Sequence, residues 1–257
     1  MSVAAVAPTQ AAEDEVLYEV ADHVATLTLN APGRMNTISG PMLNLLTELL
    51  LKADRDPEVR CIVLTGTGRA FCAGLDLRGA TKGETGLSGA SQTTNLDIRH
   101  TPPTVLFNLD TPTICALNGS AAGYGMDTAL GCDIRLMAEN AKLGQPEILL
   151  GVIPGAGGTQ RLPRAIGVGP AVELMTSGRQ IGADEALALG VIDRLADETD
   201  PRAAGIAAAR ALLAQGAAPR RLSAEPAPAV DAAQLATLRG KLARSARGQV
   251  APGRALD

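Results

Sequence analysis

The feature that most constrains this chain is the recurrence of short, uniformly apolar β-rich runs, each separated from the next by a stretch with helical spacing. VLYEV and HVATLTLN open the pattern as two short strands parted by the turn-prone pair Ala21-Asp22. APGRMNTIS then breaks it. Ser39 is placed to cap a helix through PMLNLLTELLLKADRD, whose Leu and Met recur at helical spacing, and CIVLTGTG follows as a buried strand. A glycine- and serine-rich loop over residues 79–92 leads to an expected helix near residues 93–108. TICALNG and DIRLMAE are the next strands, with GYGMDTALGCD between them as a short helix opening at a glycine turn. Beyond Leu195 the chain reads as Ala-rich helix interrupted by AAPRRLSAEPAP. Strands alternating with helices imply an α/β core, here over residues 1–195 with residues 1–14 expected to be mobile. Residues 196–257 form a C-terminal helical region suited to oligomerisation.

A chain of 257 residues can bury an ample core without cross-links. Its four cysteines, Cys61, Cys72, Cys115 and Cys132, show no metal-type spacing, and two lie inside apolar strands, so they read as reduced core thiols. No metal site is expected. Two Tyr, two Phe and no Trp leave the core to Ala, Val, Leu and Ile and argue against a base-stacking, nucleic-acid-binding surface. The first residues lack the basic start of a targeting segment, and no stretch approaches the ~20 apolar residues of a membrane span, which points to a soluble, cytoplasmic protein. Residues 201–257 carry nine Lys/Arg against three Asp/Glu, while the preceding 200 carry fourteen against twenty-four. Such a tail suits a solvated helical face or an acidic protein surface, or else the phosphates of an anionic ligand.

Two segments set glycine beside the end of an apolar strand, GRAFCAGLDL (68–77) and NGSAAGYGMD (118–127). Both can expose backbone N–H groups, because glycine permits tight turns and a helix start carries unpaired donors. Two donors converging on a carbonyl would stabilise an oxyanion. A third segment, GQPEILLGVIPGAGGTQRLPR (144–164), places Glu147 after a proline and before an apolar run. A carboxyl held among apolar groups favours its neutral form and suits proton exchange near neutral pH, although a glutamate there also fits a plain helix-terminus charge.

These pieces occur together and in order, and with LNAPGRMNTIS, IVLTGTGRAFCAGLDL and LMTSGRQIGADEALALGVID they resemble the crotonase superfamily, specifically its enoyl-CoA hydratase/isomerase family, over roughly residues 16–195. The resemblance implies a spiral of strand-strand-helix units followed by a helical trimerisation region, hence a homotrimer or dimer of trimers. It implies an acyl-CoA substrate from fatty-acid or related metabolism, with no cofactor beyond the coenzyme A carried by that substrate. By the same resemblance the N–H groups of Leu75 and Tyr124 form the oxyanion hole, Ala73, Gly74, Asp76, Leu77 and Gly123 contact substrate, and Asp127 and Glu147 flank the reacting water. Two positions depart from the family pattern. Asp127 stands where hydratases usually carry glutamate, retracting the carboxylate by ~1.5 Å. Tyr124 stands where glycine is usual, keeping the backbone donor but adding a phenol. The leading expectation is hydration of a 2-enoyl-CoA. A 3,2-enoyl-CoA isomerase using Glu147 alone is the first alternative, and a non-catalytic acyl-CoA-binding protein the second.

Overall fold

The computed structural model describes residues 15–78, 97–196, 200–216, 228–246 and 248–256. The expected loop at 79–92, the start of the helix expected from residue 93, the mobile start at 1–14 and most of AAPRRLSAEPAP fall outside these residues. β1 (Val16–Ala21) and β2 (Val24–Leu29) form an antiparallel hairpin from Val16 opposite Leu29 to Ala21 opposite Val24. Asp22 and His23 turn it with φ of 50° and 65°, the double positive φ that matches a two-residue turn to strand twist. Ser39 accepts a hydrogen bond from the Met42 N–H at 3.2 Å and starts α1 (Gly40–Arg55), which buries Met42, Leu43, Leu46, Leu50 and Ala53.

β3 (Cys61–Gly66) runs parallel to β2, and β4 (Ala70–Cys72) follows directly. The helix α2 (Pro102–Asn108) begins only at Pro102, later than the spacing suggests, after a single 3₁₀ turn at Ile98–His100. The reason is local: Thr101 precedes two prolines and takes an extended conformation, φ −86° and ψ 154°, because a residue before proline is excluded from the helical region. β5 (Thr113–Leu117), β6 (Ser120–Ala122), α3 (Tyr124–Ala129), β7 (Ile134–Met137) and β8 (Lys142–Gly144) come next. A 3₁₀ turn at Pro146–Leu150 leads to α4 (Gly158–Ile166), α5 (Val168–Ser177), β9 (Gln180–Gly182), α6 (Ala183–Leu189) and β10 (Arg194–Leu195). The C-terminal part supplies α7 (Pro201–Gln215), α8 (Ala232–Ser245) and α9 (Ala251–Arg254).

The strands divide between two sheets in a way that generates the spiral. One sheet has the order β1-β2-β3-β5-β7-β10 and the other β4-β6-β8-β9. The pairs β3–β4, β5–β6 and β7–β8 each give a strand to the first sheet and the next to the second before the chain turns into helix, whereas β1 and β2 both join the first sheet. The second sheet was not read from the sequence. Its strands, AFC, SAA, KLG and QIG, are three residues each, too short to show an alternation.

β3 shows why its run is apolar throughout. Ile62 and Leu64 face the main core beneath α1 and α3, whereas Cys61 and Val63 face a second apolar layer with Val24, Ile114, Ala116 and Leu136, covered by Ala208 and Ala209 of α7. Both faces of the sheet are therefore buried. Gly205 permits the close approach of α7, since a Cβ there would meet Ala116 Cβ at 2.8 Å. Two basic residues of α7 also meet acids of the first hairpin, Arg202 with Glu19 at 2.6 Å and Arg210 with Asp22 at 2.7 Å, so part of the basic tail is used within the chain. All four cysteines are buried and free. Among the described residues no helix is long and apolar enough to cross a membrane.

Candidate active site

The segment Met35–Asn36 prepares the first edge of the site. Both residues have φ of 53°, a conformation that asparagine tolerates, and the fully buried Asn36 side chain donates to Thr67 O and Ala70 O while accepting from Ala31 N–H at 2.7 Å. The loop is thereby stitched to the β3–β4 connection. Ile38 then forms an isolated parallel bridge with Leu75: Ile38 N–H donates to Gly74 O at 2.9 Å, and Asp76 N–H donates to Ile38 O at 2.9 Å. In such a bridge the Gly74 carbonyl and the Asp76 N–H face the partner, so the N–H of Leu75 points away from Ile38.

The second edge is the turn into α3. Gly123 has φ 53° and ψ −121°, open only to glycine, and its N–H donates to Gly144 O at 3.0 Å. Tyr124 is the first helical residue, so its N–H has no acceptor within the helix. Glycines draw the two edges together. A Cβ on Gly74, whose φ is 110°, would lie 3.3 Å from Ala122 O, and one on Gly125 would overlap the Cys72 carbonyl.

Between the edges opens a cavity of about 640 Å³, walled mainly by Leu43, Leu75, Leu77, Ile98, Leu150, Val152 and Ile153. Of the residues singled out in the sequence, Ala73, Gly74, Leu75, Leu77, Gly123, Tyr124, Asp127 and Glu147 all line it. Asp76 does not. Its carboxylate turns into the protein, taking hydrogen bonds from Arg78 Nε at 2.8 Å and Nη2 at 2.6 Å with Arg34 3.8 Å away, and Arg78 holds it below the usual carboxylate range.

Glu147 stands on the 3₁₀ turn beside the Gly123–Tyr124 backbone, close enough that a Cβ on Gly123 would lie 3.0 Å from Oε1. Its Oε2 is buried without a hydrogen-bond partner among the described residues. Burial, reinforced by the nearby charge of Asp127, pushes the Glu147 carboxyl up to about 7. This is the range in which one carboxyl can both give and take a proton at neutral pH.

Asp127 is buried at 1 % exposure on α3, but its carboxylate does not serve the N-terminus of its own helix. Oδ1 accepts from Gln145 Nε2 at 2.7 Å and Oδ2 accepts from Ala156 N–H at 3.2 Å, both from other segments. Burial still raises its pKa, against the stabilising influence of Gln145, Arg161 and the Ala156 and Gly158 amides. A carboxylate offers about four acceptor positions, so its hydrogen-bonding capacity exceeds these two contacts. Tyr124 buries its phenol beside Thr101, and burial raises its pKa further from neutrality, so it stays a neutral hydroxyl.

Sequence reasoning passed over Asn36, Gln145 and Arg161. Asn36 and Gln145 lie within the family-like segments, but nothing in residue type alone says that Asn36 builds a loop or that Gln145 orients a carboxylate. Only their buried partners show it. Among the described residues no group of three or more His, Cys, Asp or Glu has a metal-holding arrangement.

Comparison with known proteins gives the geometry a context. Residues 19–239 match the profile of the enoyl-CoA hydratase/isomerase family. YngF of Bacillus subtilis, which bears an enoyl-CoA hydratase/isomerase name, is 41 % identical over 200 residues, covering 76 % of this chain and 75 % of its own. The 1,2-epoxyphenylacetyl-CoA isomerase of Escherichia coli K12 is 40 % identical over 186 residues, 71 % of this chain and 70 % of its own. The structure of a carnitinyl-CoA dehydratase from Mycobacterium avium 104 superposes with a TM-score of 0.71 at 30 % identity, covering 94 % of this chain and 91 % of that one.

Proposed function

The chain belongs to the enoyl-CoA hydratase/isomerase family and has the crotonase fold, and from that premise we propose that it hydrates the 2,3 double bond of a 2-enoyl-CoA thioester. The observation that carries this reading is Glu147, a cavity-lining carboxyl with an oxygen that has no partner among the described residues and a pKa pushed up to about 7, beside the turn that begins α3 at Tyr124. Leu75 and Tyr124 N–H groups receive the thioester oxygen and stabilise the negative charge that gathers there as water attacks. Asp127, ionised and held by Gln145 and Ala156, takes a proton from the water as its hydroxyl bonds to C3. Protonated Glu147 delivers a proton to C2. Return of the proton from Asp127 to Glu147 completes the turnover, and the coenzyme A of the substrate is the one carrier group the reaction uses. The four free buried thiols favour a reducing cytoplasm as its setting.

One observation favours a second reading. Both oxygens of Asp127 already accept protein hydrogen bonds, which suits a 3,2-enoyl-CoA isomerase in which Glu147 alone removes the proton at C2 and returns it at C4. The two reactions require opposite forms of Glu147. Hydration needs it protonated, so kcat with crotonyl-CoA, followed by loss of the enoyl absorbance, should fall as pH rises through about 7. Isomerisation needs it ionised, so kcat with a 3-enoyl-CoA should rise through the same pH. Turnover of the 3-enoyl substrate alone, with a rising profile, would replace the hydratase reading by the isomerase one.

A further inference from the structure

Arg161 is a buried guanidinium, 5 % exposed, that forms no ion pair with a carboxylate among the described residues. A cation taken out of water this way requires compensation. What surrounds it is informative. Its Nη1 donates to Ala156 O at 2.7 Å, its Nη2 donates to Thr104 Oγ1 at 3.3 Å, and its Cζ lies 4.9 Å from the centre of the Phe107 ring. Gly157, with φ 106°, leaves the space it occupies, since any Cβ there would overlap the guanidinium. Ala156 is thus gripped on both sides of its backbone, its carbonyl by Arg161 and its N–H by Asp127 Oδ2.

Resting on the hydratase reading, we propose that Arg161 is a positioning residue: it clamps the 156–158 turn against Asp127 and supplies the buried positive charge that keeps Asp127 a carboxylate facing the reacting water. The groups that face Asp127 leave this task to few others. Glu147 and the Tyr124 phenol are acids, Gln145 is a neutral donor, and Ala156 and Gly158 offer backbone amides. Arg161 is the cation among these neighbours, and the mutual attraction is visible from both sides: it opposes the burial that raises the Asp127 pKa and the burial that lowers that of Arg161.

The test compares Arg161→Gln, which keeps an amide donor for Ala156 O but removes the charge, with Arg161→Lys, which keeps the charge but loses the fork. Protonation of Asp127 is read by infrared spectroscopy as a carboxylic-acid band assigned through its loss in Asp127→Asn. In parallel, the acid limb of kcat/KM for crotonyl-CoA is recorded with the thermal midpoint of each variant. The expected result is that Arg161→Gln raises the pH at which Asp127 protonates by about one unit or more and moves the acid limb with it, while Arg161→Lys stays near wild type in both. A purely structural clamp would make Gln equal or superior to Lys, with neither the band nor the limb displaced, and that result would overturn the proposal. The infrared reading does not depend on turnover. A displaced band in a protein that fails to hydrate crotonyl-CoA would therefore retain the role of Arg161 and reject the reaction assigned to the site.

Discussion

At the scale of single residues, the environment of Glu147 matters more than its type. Its ordinary value of 4.5 is moved to about 7 chiefly by burial, so the folded protein retains a proton over a window in which the unfolded chain has released it. The contribution of Glu147 to stability is therefore lost as pH rises from about 4.5 to about 7, and Glu147→Gln lacks that contribution. The melting temperature of the variant minus that of the wild type should climb across this window and level off above it. Turnover should drop by ~10²–10⁴-fold, with acyl-CoA affinity within a few-fold. Melts that run in parallel across the window would show that Glu147 is not held neutral by burial. The residue types were legible in the sequence, and so was the pairing of Asp127 with Glu147 through family resemblance. What the sequence could not show is that the Asp127 oxygens are met by Gln145 and Ala156, because those partners are 18 and 29 residues away and meet it only after β8 and the turn before α4 have docked.

At the scale of elements, the site is made by the close packing of α3 on β4. Gly125 lies against the Cys72 carbonyl with no room for a methyl group, and this contact sets the spacing between the Leu75 and Tyr124 segments. Gly125→Ala should push the start of α3 away from β4. A loss of at least tenfold in kcat/KM is expected, far exceeding the effect of a helix propensity change that by itself would favour alanine by about 1 kcal/mol. If the variant proves more stable with unchanged kinetics, the two N–H groups are not positioned by this contact. The strands β1, β2, β3, β5 and β7 were readable because their runs of four to six residues carry a pattern, as were the capped helices, with α1 and its Ser39 cap the clearest; β10, two residues long, was not. Nor were β4, β6, β8 and β9. A three-residue strand such as Ser120–Ala122 has no periodicity, and its glycine-rich flanks signal a turn at least as strongly as an edge of sheet.

At the scale of the whole molecule, the β7–β10 edge of the larger sheet is tied by Arg135, buried at 1 % exposure on β7. Its Nε donates to Val191 O at 2.6 Å and its Nη1 to Cys132 O at 2.7 Å, while its backbone N–H donates to Asp193 Oδ2 at 2.8 Å, joining β7 to the turn that leads into β10. Arg135→Met leaves two carbonyls without donors and should lower stability by on the order of 3 kcal/mol, read as a shift in the urea midpoint, with kcat of the folded protein little changed because the residue does not line the cavity. A midpoint unmoved by the substitution would mean that other donors replace it. Beyond the single chain we propose the homotrimer or dimer of trimers that the family resemblance implies.

The sequence by itself determined the α/β class, the helices with clear caps, the reduced cysteines, the family and the cavity-lining segments, since each of these is written in local spacing or in contiguous motifs. Tertiary structure alone decided that the strands split into two sheets, that Asp76 turns inward to Arg78 and Arg34, that the Asp127 carboxylate is held by Gln145 and Ala156, and that a guanidinium with no carboxylate partner among the described residues sits behind that contact. These are properties of neighbours that burial brings together across the chain, where removing water makes every unpaired charge and every methyl group count.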